Sequence, residues 1–406
     1  MNIDKKTVRD LELNGKRVVM RVDFNVPIKD GAVADATRIA AALPSIRYII
    51  EHGASLVLLT HLGRPKGEVN PEFSVKPAAD YLAKLLGKPV KFASDCIGDE
   101  IVAQAECLAA GEVMVCENTR FHKAEDLKCK TPEDKESVRK FAAELAKLGE
   151  IYVNDAFGTA HRAHASTAVI TEFMDKANCV AGFLMDKELQ YLGKAVANPK
   201  KPFVAIIGGA KVSGKLEVLS ALMEKVDTIL IGGGMAYTFR KAEGHNIANS
   251  LCEDDLLDVA RATLAKAAEK KVKFMLPLDN VAAKEFNNDA ERMVCGNDIP
   301  DGYMALDIGP KTVQAYAAEI AQAKTVVWNG PMGCFEMSNF AAGTMGICKA
   351  VADADCVSII GGGDSVAAVN KSGLADKMSH ISTGGGASLE FLEGKVLPGV
   401  ACLADA

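Results

Sequence analysis

The feature that most limits the possible folds is an alternation of short apolar strands with helical segments along the chain. Runs rich in Val, Ile and Leu recur as KRVVMRVDF, SLVLLTHLG, EVMVCENTR, IYVNDAFG, FVAIIGGAK, TILIGGGMA, KFMLPLDN, TVVWNGPMG and VSIIGGGDS. Continuous apolar strands that are separated by helices are typical of parallel sheets covered on both faces. We therefore predict an α/β fold with doubly wound parallel sheets.

The helical segments carry apolar residues at the spacing of one helix face. The segment DDLLDVARATLAKAAEKK is the clearest example, and a spacing of 3.6 residues per turn groups its apolar residues on one side. The residues predicted on this face are Leu256, Val259, Ala260, Leu264 and Ala267. We expect this face to be buried against a sheet.

The chain has 406 residues, which is more than one domain of ordinary size contains. We therefore predict a domain boundary near its middle. Residues 186–198 predict a helix that begins with Asp186 as N-cap and stops before the first of two prolines, Pro199 and Pro202. Its predicted apolar face consists of Leu189, Leu192 and Val196. We interpret it as a single helix joining two sheets; an ordinary crossover helix inside one large domain is the alternative.

Charge and cysteine content exclude several classes of protein. The formal net charge of -6 argues against a protein that coats nucleic acid or an anionic membrane. Eleven cysteines without a C-x-x-C spacing indicate reduced thiols in the cytoplasm, since an odd number cannot all pair within one chain. No run approaches the roughly 18 apolar residues of a membrane span, and the N-terminal segment lacks the apolar region of a signal peptide. We predict a cytoplasmic protein.

The strand ends of the first half carry cationic and imidazole side chains. Open α/β sheets bind ligands at these ends, and a guanidinium fork binds phosphate or carboxylate bidentately. The residues there are Arg21, Asp23, Asn25, His61, Arg64, Arg120, His122, His161, Arg162 and His164, with Arg38 farther along the chain. They predict a site for a small polyanion. A structural bridge from Asp23 to an arginine is an open alternative; a zinc site at HRAH is disfavoured because Arg162 would oppose a cation.

The strand ends of the second half carry glycines instead. Exposed N–H groups and helix dipoles favour anions, so glycine runs that open into helices suit nucleotide phosphates. These runs are GGAKVSGK, IGGG at 231–234, NGPMG at 329–333, GGGD at 361–364 and STGGGAS at 382–388. A single run is more often a tight turn, but several in one half favour function. GGAKVSGK itself differs from a P-loop because Leu216 stands where Ser or Thr would hold magnesium.

In order along the chain, nine motifs resemble the phosphoglycerate kinase family. They are RVDFNVP (21–27), THLGRP (60–65), ENTRFH (117–122), NDAFGTAHRAHAST (154–167), GGAKVSGK (208–215), GGGMAYTF (232–239), WNGPMGCFE (328–336), GGGDS (361–365) and STGGGASLEFLEG (382–394). The resemblance implies reversible in-line phosphoryl transfer from 1,3-bisphosphoglycerate to ADP, which gives 3-phosphoglycerate and ATP in glycolysis. In this family GGAKVSGK is not a P-loop, so Leu216 is no defect.

The resemblance also implies site residues. The implied glycerate contacts are Asp23, Phe24, Asn25, Arg38, His61, Leu62, Gly63, Arg64, Arg120 and Arg162. The implied nucleotide contacts are Lys211, Lys215, Gly233, Gly234, Asn329, Glu336, Gly361, Gly362, Gly363, Asp364 and Ser365. Arg38, Lys211 and Lys215 are the implied catalytic residues, Glu336 would hold the ribose hydroxyls, and Asp364 would hold nucleotide-bound Mg²⁺.

The domain organisation that the resemblance implies is a pair of Rossmann-like domains with a cleft between them. Residues 1–172 plus 391–406 would bind 3-phosphoglycerate, residues 199–390 would bind the nucleotide, and the 186–198 helix would act as the hinge for domain closure. A monomer without nucleic-acid or membrane partners is expected. We also expect residues 122–137 to form a charged surface loop.

Two other classes of protein compete with this interpretation. A dehydrogenase would need G-x-G-x-x-G after its first strand, which RVDFNVP does not supply. A non-catalytic nucleotide- or polyanion-binding protein on the same fold would need most of the same residues. The joint presence of Arg38, Lys211, Lys215 and Asp364 favours the enzyme.

Overall fold

Two compact units make up the chain in the computed structural model, which describes residues 2–193 and 198–406. Unit 1 comprises Met1–Gln190 and Val396–Ala406, and unit 2 comprises Tyr191–Lys395. Each unit contains a six-stranded sheet whose strand pairs are all parallel. The prediction of two doubly wound parallel sheets is confirmed.

The sheet of unit 1 has the order β5-β6-β4-β1-β7-β8. Its strands are β1 (Arg17–Arg21), β4 (Ser55–Leu59), β5 (Lys91–Ala93), β6 (Val113–Cys116), β7 (Ile151–Asn154) and β8 (Cys179–Ala181), and a separate hairpin pairs β2 (Ile28–Lys29) with β3 (Ala32–Val33). The helices that pack around it are α1 (Thr37–Glu51), α2 (Lys76–Leu86), α3 (Asp99–Glu106), α4 (Pro132–Ala146) and α5 (Phe183–Glu188). Because β4, β6 and β7 are buried at every residue, the carboxyl ends of these strands are held by a rigid core.

The main sheet of unit 2 has the order β11-β10-β9-β15-β16-β17. Its strands are β9 (Phe203–Ile207), β10 (Thr228–Ile231), β11 (Lys273–Met275), β15 (Thr325–Asn329), β16 (Val357–Gly361) and β17 (His380–Ile381). A smaller antiparallel sheet joins β12 (Asn280–Ala283), β13 (Arg292–Cys295) and β14 (Met304–Ile308). The helices are α6 (Leu216–Leu222), α7 (Met235–Ala242), α8 (Leu257–Glu269), α9 (Pro310–Gln322), α10 (Ala342–Asp353), α11 (Gly363–Ser372) and α12 (Gly386–Leu392).

Residues 396–406 return to unit 1, where α13 (Pro398–Ala401) lies. Ala404 N donates to Cys179 O at 2.8 Å, and Lys6 N donates to Ala404 O at 3.0 Å. The Lys5 ammonium lies 2.6 Å from the Asp405 carboxylate. These contacts tie the last segment both to the edge strand β8 and to the first residues of the chain.

All nine predicted strands are present, and the structure adds elements that the sequence pattern did not predict. The short strands β5, β8 and β17, the hairpin β2-β3 and the antiparallel sheet β13-β12-β14 are the additions. In α8, Ala260 and Ala267 are buried as predicted, but Val259 is 38% exposed, so its predicted burial is wrong. The sheet therefore covers a narrower stripe of this helix than the apolar pattern suggests.

The helix found where the joining helix was predicted begins earlier than predicted. Gly182 is the N-cap of α5, and Asp186 lies inside the helix, so the prediction of Asp186 as N-cap is wrong. After α5 the chain continues as a π-helical turn over Leu189–Gly193, in which Leu189 and Leu192 are buried. The predicted residue Val196 lies outside the described residues.

The segment 122–137 is not a surface loop throughout. The Thr131 hydroxyl accepts from Asp134 N while the Asp134 carboxylate accepts from Thr131 N, and this capping box starts α4 at Pro132. Glu125 is buried at 1% exposure. The predicted loop is therefore wrong at both places, because a cap and a buried carboxylate organise the segment.

The structure also bears on membrane insertion and on the state of the cysteines. No helix among the described residues is both long and apolar enough to span a membrane. All eleven cysteines are free.

Candidate functional site

The cationic residues of unit 1 lie at one edge of its sheet. Asp23 and Asn25 follow β1, the segment His61–Arg64 follows β4, and Arg120 follows β6. These strands are parallel and in register, with Arg21 beside Leu59 and Leu58 beside Val115. Their carboxyl ends therefore open at a common edge, which is where side chains from different loops can meet one ligand.

Arg38 is the cation that is most clearly pre-positioned. It lies in the first turn of α1, and its Nη1 is 3.2 Å from Asp23 Oδ2 and donates to Asn25 O at 2.9 Å. The Arg38 side chain is 38% exposed, whereas the Asp23 side chain is 11% exposed. Asp23 and the Asn25 carbonyl thus orient a guanidinium that is still open to solvent. The structural bridge that the sequence left open does form, and it leaves Arg38 available to a ligand.

A second chain of hydrogen bonds joins three loops at this edge. Asn25 Oδ1 accepts from Gly63 N at 2.9 Å, and Gly63 O accepts from Arg120 Nη1 at 2.9 Å. Arg120 Nε lies 3.2 Å from a carboxylate oxygen of Asp126. Gly63 has φ +61°, and a Cβ there would lie 2.3 Å from the Phe73 ring, so glycine is required. Backbone and side chain together fix the position of Arg120.

The remaining predicted glycerate residues differ in what they can offer a ligand. The side chains of Phe24 and Leu62 belong to the hydrophobic core, so only their backbone groups are available. Arg64 and Arg162 are exposed. Hydrogen bonds through Asn25 and Gly63 thus link the anchored arginines, Arg38 and Arg120, whereas Arg64 and Arg162 are exposed cations.

Two histidines near these arginines are held neutral. Burial lowers the pKa of His61 well below its ordinary value, and the neighbouring Arg21 lowers it further. Arg21 Nη2 lies 3.0 Å from His61 Nδ1, and since a guanidinium only donates, Nδ1 accepts and Nε2 carries the proton. Burial, followed by the charge of Arg120, lowers the pKa of His164 to about 3. Both imidazoles are therefore uncharged near pH 7.

A buried hydrogen-bond network that includes Arg21 was not predicted from the sequence. Arg21 Nε donates to Ser166 Oγ at 2.8 Å, and the Ser166 hydroxyl donates to Glu125 at 2.5 Å. Arg21 and Glu125 are fully buried 4.0 Å apart, and burial raises the pKa of Glu125. Glu125 lies in a segment rich in charges, so nothing in the local sequence distinguishes it from surface carboxylates. Arg21 had a signal, since it ends a strand that is apolar on both sides.

The glycine-rich ends of β9, β15 and β16 line a polar pocket of about 350 Å³ in unit 2. Several predicted nucleotide residues lie in its wall, together with residues of the 382–388 run. The lining includes Gly208, Gly209, Lys211, Lys215, Asn329, Gly362, Gly363, Asp364, Ser365, Gly385 and Gly386. Asp364 is exposed in the first turn of α11, where its carboxylate could serve as an oxygen ligand for a hard cation such as Mg²⁺.

Close backbone approach explains two glycines of unit 2, Gly208 in this wall and Gly233 in a neighbouring loop. A Cβ on Gly208 would lie 2.0 Å from Pro331 O. Gly233 has φ +71°, and a Cβ there would lie 2.6 Å from Gly209 O. Any side chain at these positions would separate loops that now contact each other through backbone atoms.

Lys215 contributes the most deeply placed cation of this pocket. It is the N-cap residue of α6, and its ammonium donates to Asn329 Oδ1. Burial lowers its pKa, while the nearby Asp364 carboxylate acts in the opposite direction. Asn329 Nδ2 is buried and has no hydrogen-bond partner among the described residues. A cation and an unsatisfied donor side by side favour an anionic ligand.

An apolar pocket of about 790 Å³ adjoins the polar one and shares Gly209 and Asp364 with it. The predicted residues Gly233, Gly234 and Glu336 line it, and so do apolar side chains that were not predicted. They include Tyr237, Leu251, Phe286, Met304 and Leu306. Leu251 is 62% exposed and Phe286 is 69% exposed, so both offer apolar surface to a ligand in this pocket. Of the predicted nucleotide residues, Gly361 lines neither pocket.

Comparisons with known proteins decide the family. The family model described as phosphoglycerate kinase matches residues 8–395. A phosphoglycerate kinase of Chloroherpeton thalassium is 56% identical, covering 99% of this chain and 100% of the relative. One of Clostridium botulinum is 54% identical, covering 100% of both chains. This chain belongs to the phosphoglycerate kinase family.

Solved structures agree with the sequence comparison. Phosphoglycerate kinase from Coxiella burnetii has a TM-score of 0.87 and is 42% identical, with 98% of each chain covered. Phosphoglycerate kinase from Pyrococcus horikoshii has a TM-score of 0.83 and is 33% identical, again with 98% of each chain covered. The predicted family, fold and activity are confirmed: the chain is a kinase that transfers phosphate to or from a carboxyl group in glycolysis. The non-catalytic alternative is not favoured.

Proposed function

We propose that the two substrates of phosphoglycerate kinase are divided between the units. The cationic edge of unit 1 binds the phosphate and carboxylate groups of the glycerate, with Arg38 and Arg120 as anchored cations. The two adjoining pockets of unit 2 bind ADP or ATP, with phosphates beside Lys215 and the base against Leu251 and Phe286. The observation that carries this division is the buried unsatisfied Asn329 donor beside Lys215 in the wall of the polar pocket, which shares Gly209 and Asp364 with the apolar pocket.

The chemistry explains why cations rather than a general base surround the proposed site. In the direction of ATP formation the nucleophile is an anionic ADP oxygen, and the leaving group is a carboxylate whose acid has a pKa of about 4. No proton has to be transferred. The transition state instead requires in-line alignment and positive charge around the equatorial oxygens. Arg38, Lys211 and Lys215 supply that charge in our proposal.

Asp364 is the protein ligand that we propose for nucleotide-bound Mg²⁺. Its exposed carboxylate lines both pockets of unit 2, and hard oxygen ligands are those that Mg²⁺ prefers. When bound, Mg²⁺ supplies positive charge that neutralises the phosphate oxygens. Asp364→Ala is expected to weaken Mg-ATP binding more than binding of ATP alone, which titrations with and without Mg²⁺ would measure.

Hinge closure about residues 186–198 is the conformational step that we propose. Phosphoryl transfer needs donor and acceptor within reach, and exclusion of water protects an acyl phosphate from hydrolysis. Small-angle scattering with both ligands should show a smaller radius of gyration than either binary complex. An unchanged radius would contradict the step.

A cytoplasmic monomer completes the proposed function. The eleven free cysteines support a reducing compartment. Light scattering of the reduced protein should give the mass of one chain, 43.0 kDa. A mass of twice that value would contradict the monomer.

The decisive experiment compares phosphorylation of 3-phosphoglycerate by Mg-ATP in wild type and Arg38→Ala, with the acyl phosphate product reduced by a coupled dehydrogenase. Loss of one such cation is expected to lower the rate about 10²–10³-fold. Arg47→Ala is the matched control, because Arg47 lies exposed on the same helix and its side chain donates to Leu85 O in the described part of the chain. Unchanged binding of ATP by Arg38→Ala would support the division between units; full activity of this variant would contradict it.

A further inference from the structure

Three side chains with different ligand atoms converge in unit 1, and none of them is assigned to substrate binding in the proposed function. A carboxylate oxygen of Asp95, Sγ of Cys96 and a ring nitrogen of His122 all lie within 4.8 Å of one another. His122 Nε2 is 2.6 Å from Asp95 Oδ1, and Cys96 N donates to the same oxygen at 2.6 Å. The group combines oxygen, sulfur and nitrogen, which is unlike the pure carboxylate clusters that are common on surfaces.

The fold places these residues together. Asp95 and Cys96 follow β5, and His122 follows a 3-10 turn (Thr119–Phe121) after β6. β5 and β6 are parallel neighbours with Ala93 opposite Cys116, so both loops leave the same edge of the sheet. The His122 ring stacks on Phe141 with centroids 4.9 Å apart. The imidazole is therefore held in orientation by packing as well as by Asp95.

Access and burial suit a bound ion. The Cys96 thiol is fully buried and is not in a disulfide, so it is protected from oxidants. The side chains of Asp95 and His122 are 45% and 28% exposed, which gives an ion a route from solvent. One thiolate and one carboxylate together neutralise a divalent cation, so the complex would carry no net charge where it is half-buried.

The ligand types select the class of metal. Thiolate and imidazole are preferred by Zn²⁺ and its chemical relatives, whereas Mg²⁺ and Ca²⁺ prefer oxygen ligands alone. Three protein ligands leave a fourth tetrahedral position for water, which the exposed side of the group can supply. The ligand atoms need to move by only about 1 Å to reach the spacings of a tetrahedral zinc site.

We propose that Asp95, Cys96 and His122 form a binding site for one divalent transition-metal ion of the zinc class, separate from the Mg²⁺ that accompanies the nucleotide. On binding, the Cys96 S–H bond breaks and its proton is released to solvent, the hydrogen bond between His122 Nε2 and Asp95 Oδ1 breaks, the neutral imidazole carries its proton on Nδ1, and sulfur, nitrogen and oxygen each form a bond to the metal. No oxidant or reductant is required. His122 is two residues from Arg120, so the ion would also fix the loop that carries this arginine.

The test uses full-length, reduced and chelator-treated protein titrated with Co²⁺ in excess Mg²⁺. Wild type is expected to show a thiolate-to-cobalt charge-transfer band that saturates at one equivalent and disappears when Zn²⁺ is added. Cys96→Ala should lose the band and bind Zn²⁺ at least about 100-fold more weakly by calorimetry, because a direct ligand should matter more than an outer-shell partner. Cys107→Ser is the matched control, since Cys107 is an exposed thiol at the end of α3 and should leave both signals unchanged.

A second variant keeps the test valid if the buried substitution disturbs folding. His122→Gln retains the thiol and changes a partly exposed side chain, and it should weaken Zn²⁺ binding while keeping the circular dichroism spectrum of wild type. A wild type without a charge-transfer band at one equivalent would overturn the proposal. So would a band that is retained in folded Cys96→Ala or abolished by Cys107→Ser, because the sulfur ligand would then be another cysteine.

Discussion

Unit 1 and unit 2 use the same kind of sheet but present positive potential at its carboxyl edge in opposite ways. In unit 1 the charge is on long side chains, and carboxylates such as Asp23 and Asp126 hold the guanidinium groups in place. In unit 2 glycine loops press backbone against backbone, and few cations are added. A side-chain site can be altered one contact at a time, whereas a backbone site is disrupted by a Cβ at the glycines of close approach, such as Gly208 and Gly233.

The largest effect on activity is expected from Lys215, a side chain on which the site of unit 2 relies. Lys215→Ala removes the cation beside Asn329 and should lower kcat about 10²–10³-fold while stability changes little. Steady-state assays in both directions would measure this. Lys270→Ala, which only breaks a surface pair with Glu224, is the control and should match wild type. Equal activity of the two variants would contradict the role of Lys215.

The next largest effect is expected from a substitution at Gly233, which tests the close backbone contacts of unit 2. Gly233→Ala and Gly373→Ala share a backbone strain of about 1–2 kcal/mol, because their φ values are +71° and +72°. Only Gly233 has backbone atoms in the space of the new Cβ, whereas nothing lies within 4 Å at Gly373. Gly233→Ala should therefore lose more free energy of unfolding and weaken ATP binding, and Gly373→Ala should bind ATP normally. Chemical denaturation and calorimetry would compare them; equal losses would show that close approach does not matter.

One buried group in each unit should make the free energy of unfolding depend on pH, and the two dependences should have opposite signs. His164 has its pKa lowered from 6.5 to about 3, so its contribution to the free energy of unfolding is present above pH 6.5 and lost as pH falls toward 3. Asp307 in unit 2 has its pKa raised from 3.8 to about 7 by burial, so its contribution is present below pH 3.8 and lost as pH rises toward 7. Each slope is at most about 1.4 kcal/mol per pH unit.

Denaturation of His164→Gln and Asp307→Asn across pH 4–7 would measure these slopes. Relative to wild type, His164→Gln should gain stability as pH falls, and Asp307→Asn should gain stability as pH rises. Parallel curves for wild type and both variants would show that neither group titrates as its burial requires.

The smallest effect on stability is expected at the anchor of Arg38. Asp23→Asn keeps the size of the side chain but removes the charge that faces Arg38, and a partly exposed ion pair contributes less than ~1 kcal/mol. The KM for 3-phosphoglycerate should rise while the KM for ATP stays constant. Initial-rate measurements with each substrate varied would separate the two, and an equal rise in both would contradict the division between units.

The sequence predicted those parts of the fold that depend on local pattern. The strand β15 reads TVVWN and is buried at every residue, so its apolar run is sufficient. The strand β5 has three residues, one of them an exposed lysine, and it exists because β6 supplies its hydrogen bonds. No window of sequence contains that information.

The same distinction applies to the candidate site. Arg38 and Arg120 could be named from the sequence because cations at strand ends suit anions. Glu125 and Ser166 could not, because their contacts with Arg21 join residues that are far apart in the chain. Phe286 was not predicted for a related reason. The role of an apolar residue in a loop can be recognised only when its exposure beside a pocket is known.

The return of residues 396–406 to unit 1 determines the order in which the chain can assemble during its synthesis. Unit 2 is encoded entirely between the two parts of unit 1, so a ribosome completes it first. For the time needed to translate unit 2, about 10–40 s at roughly 5–20 residues per second, the edge of β8 lacks the partner that Ala404 later provides. The nascent enzyme therefore carries the Cys179 end of this edge without its partner through half of its translation, whereas Ala181 at the other end can already pair with Lys6. The open end is where a chaperone would be expected to bind.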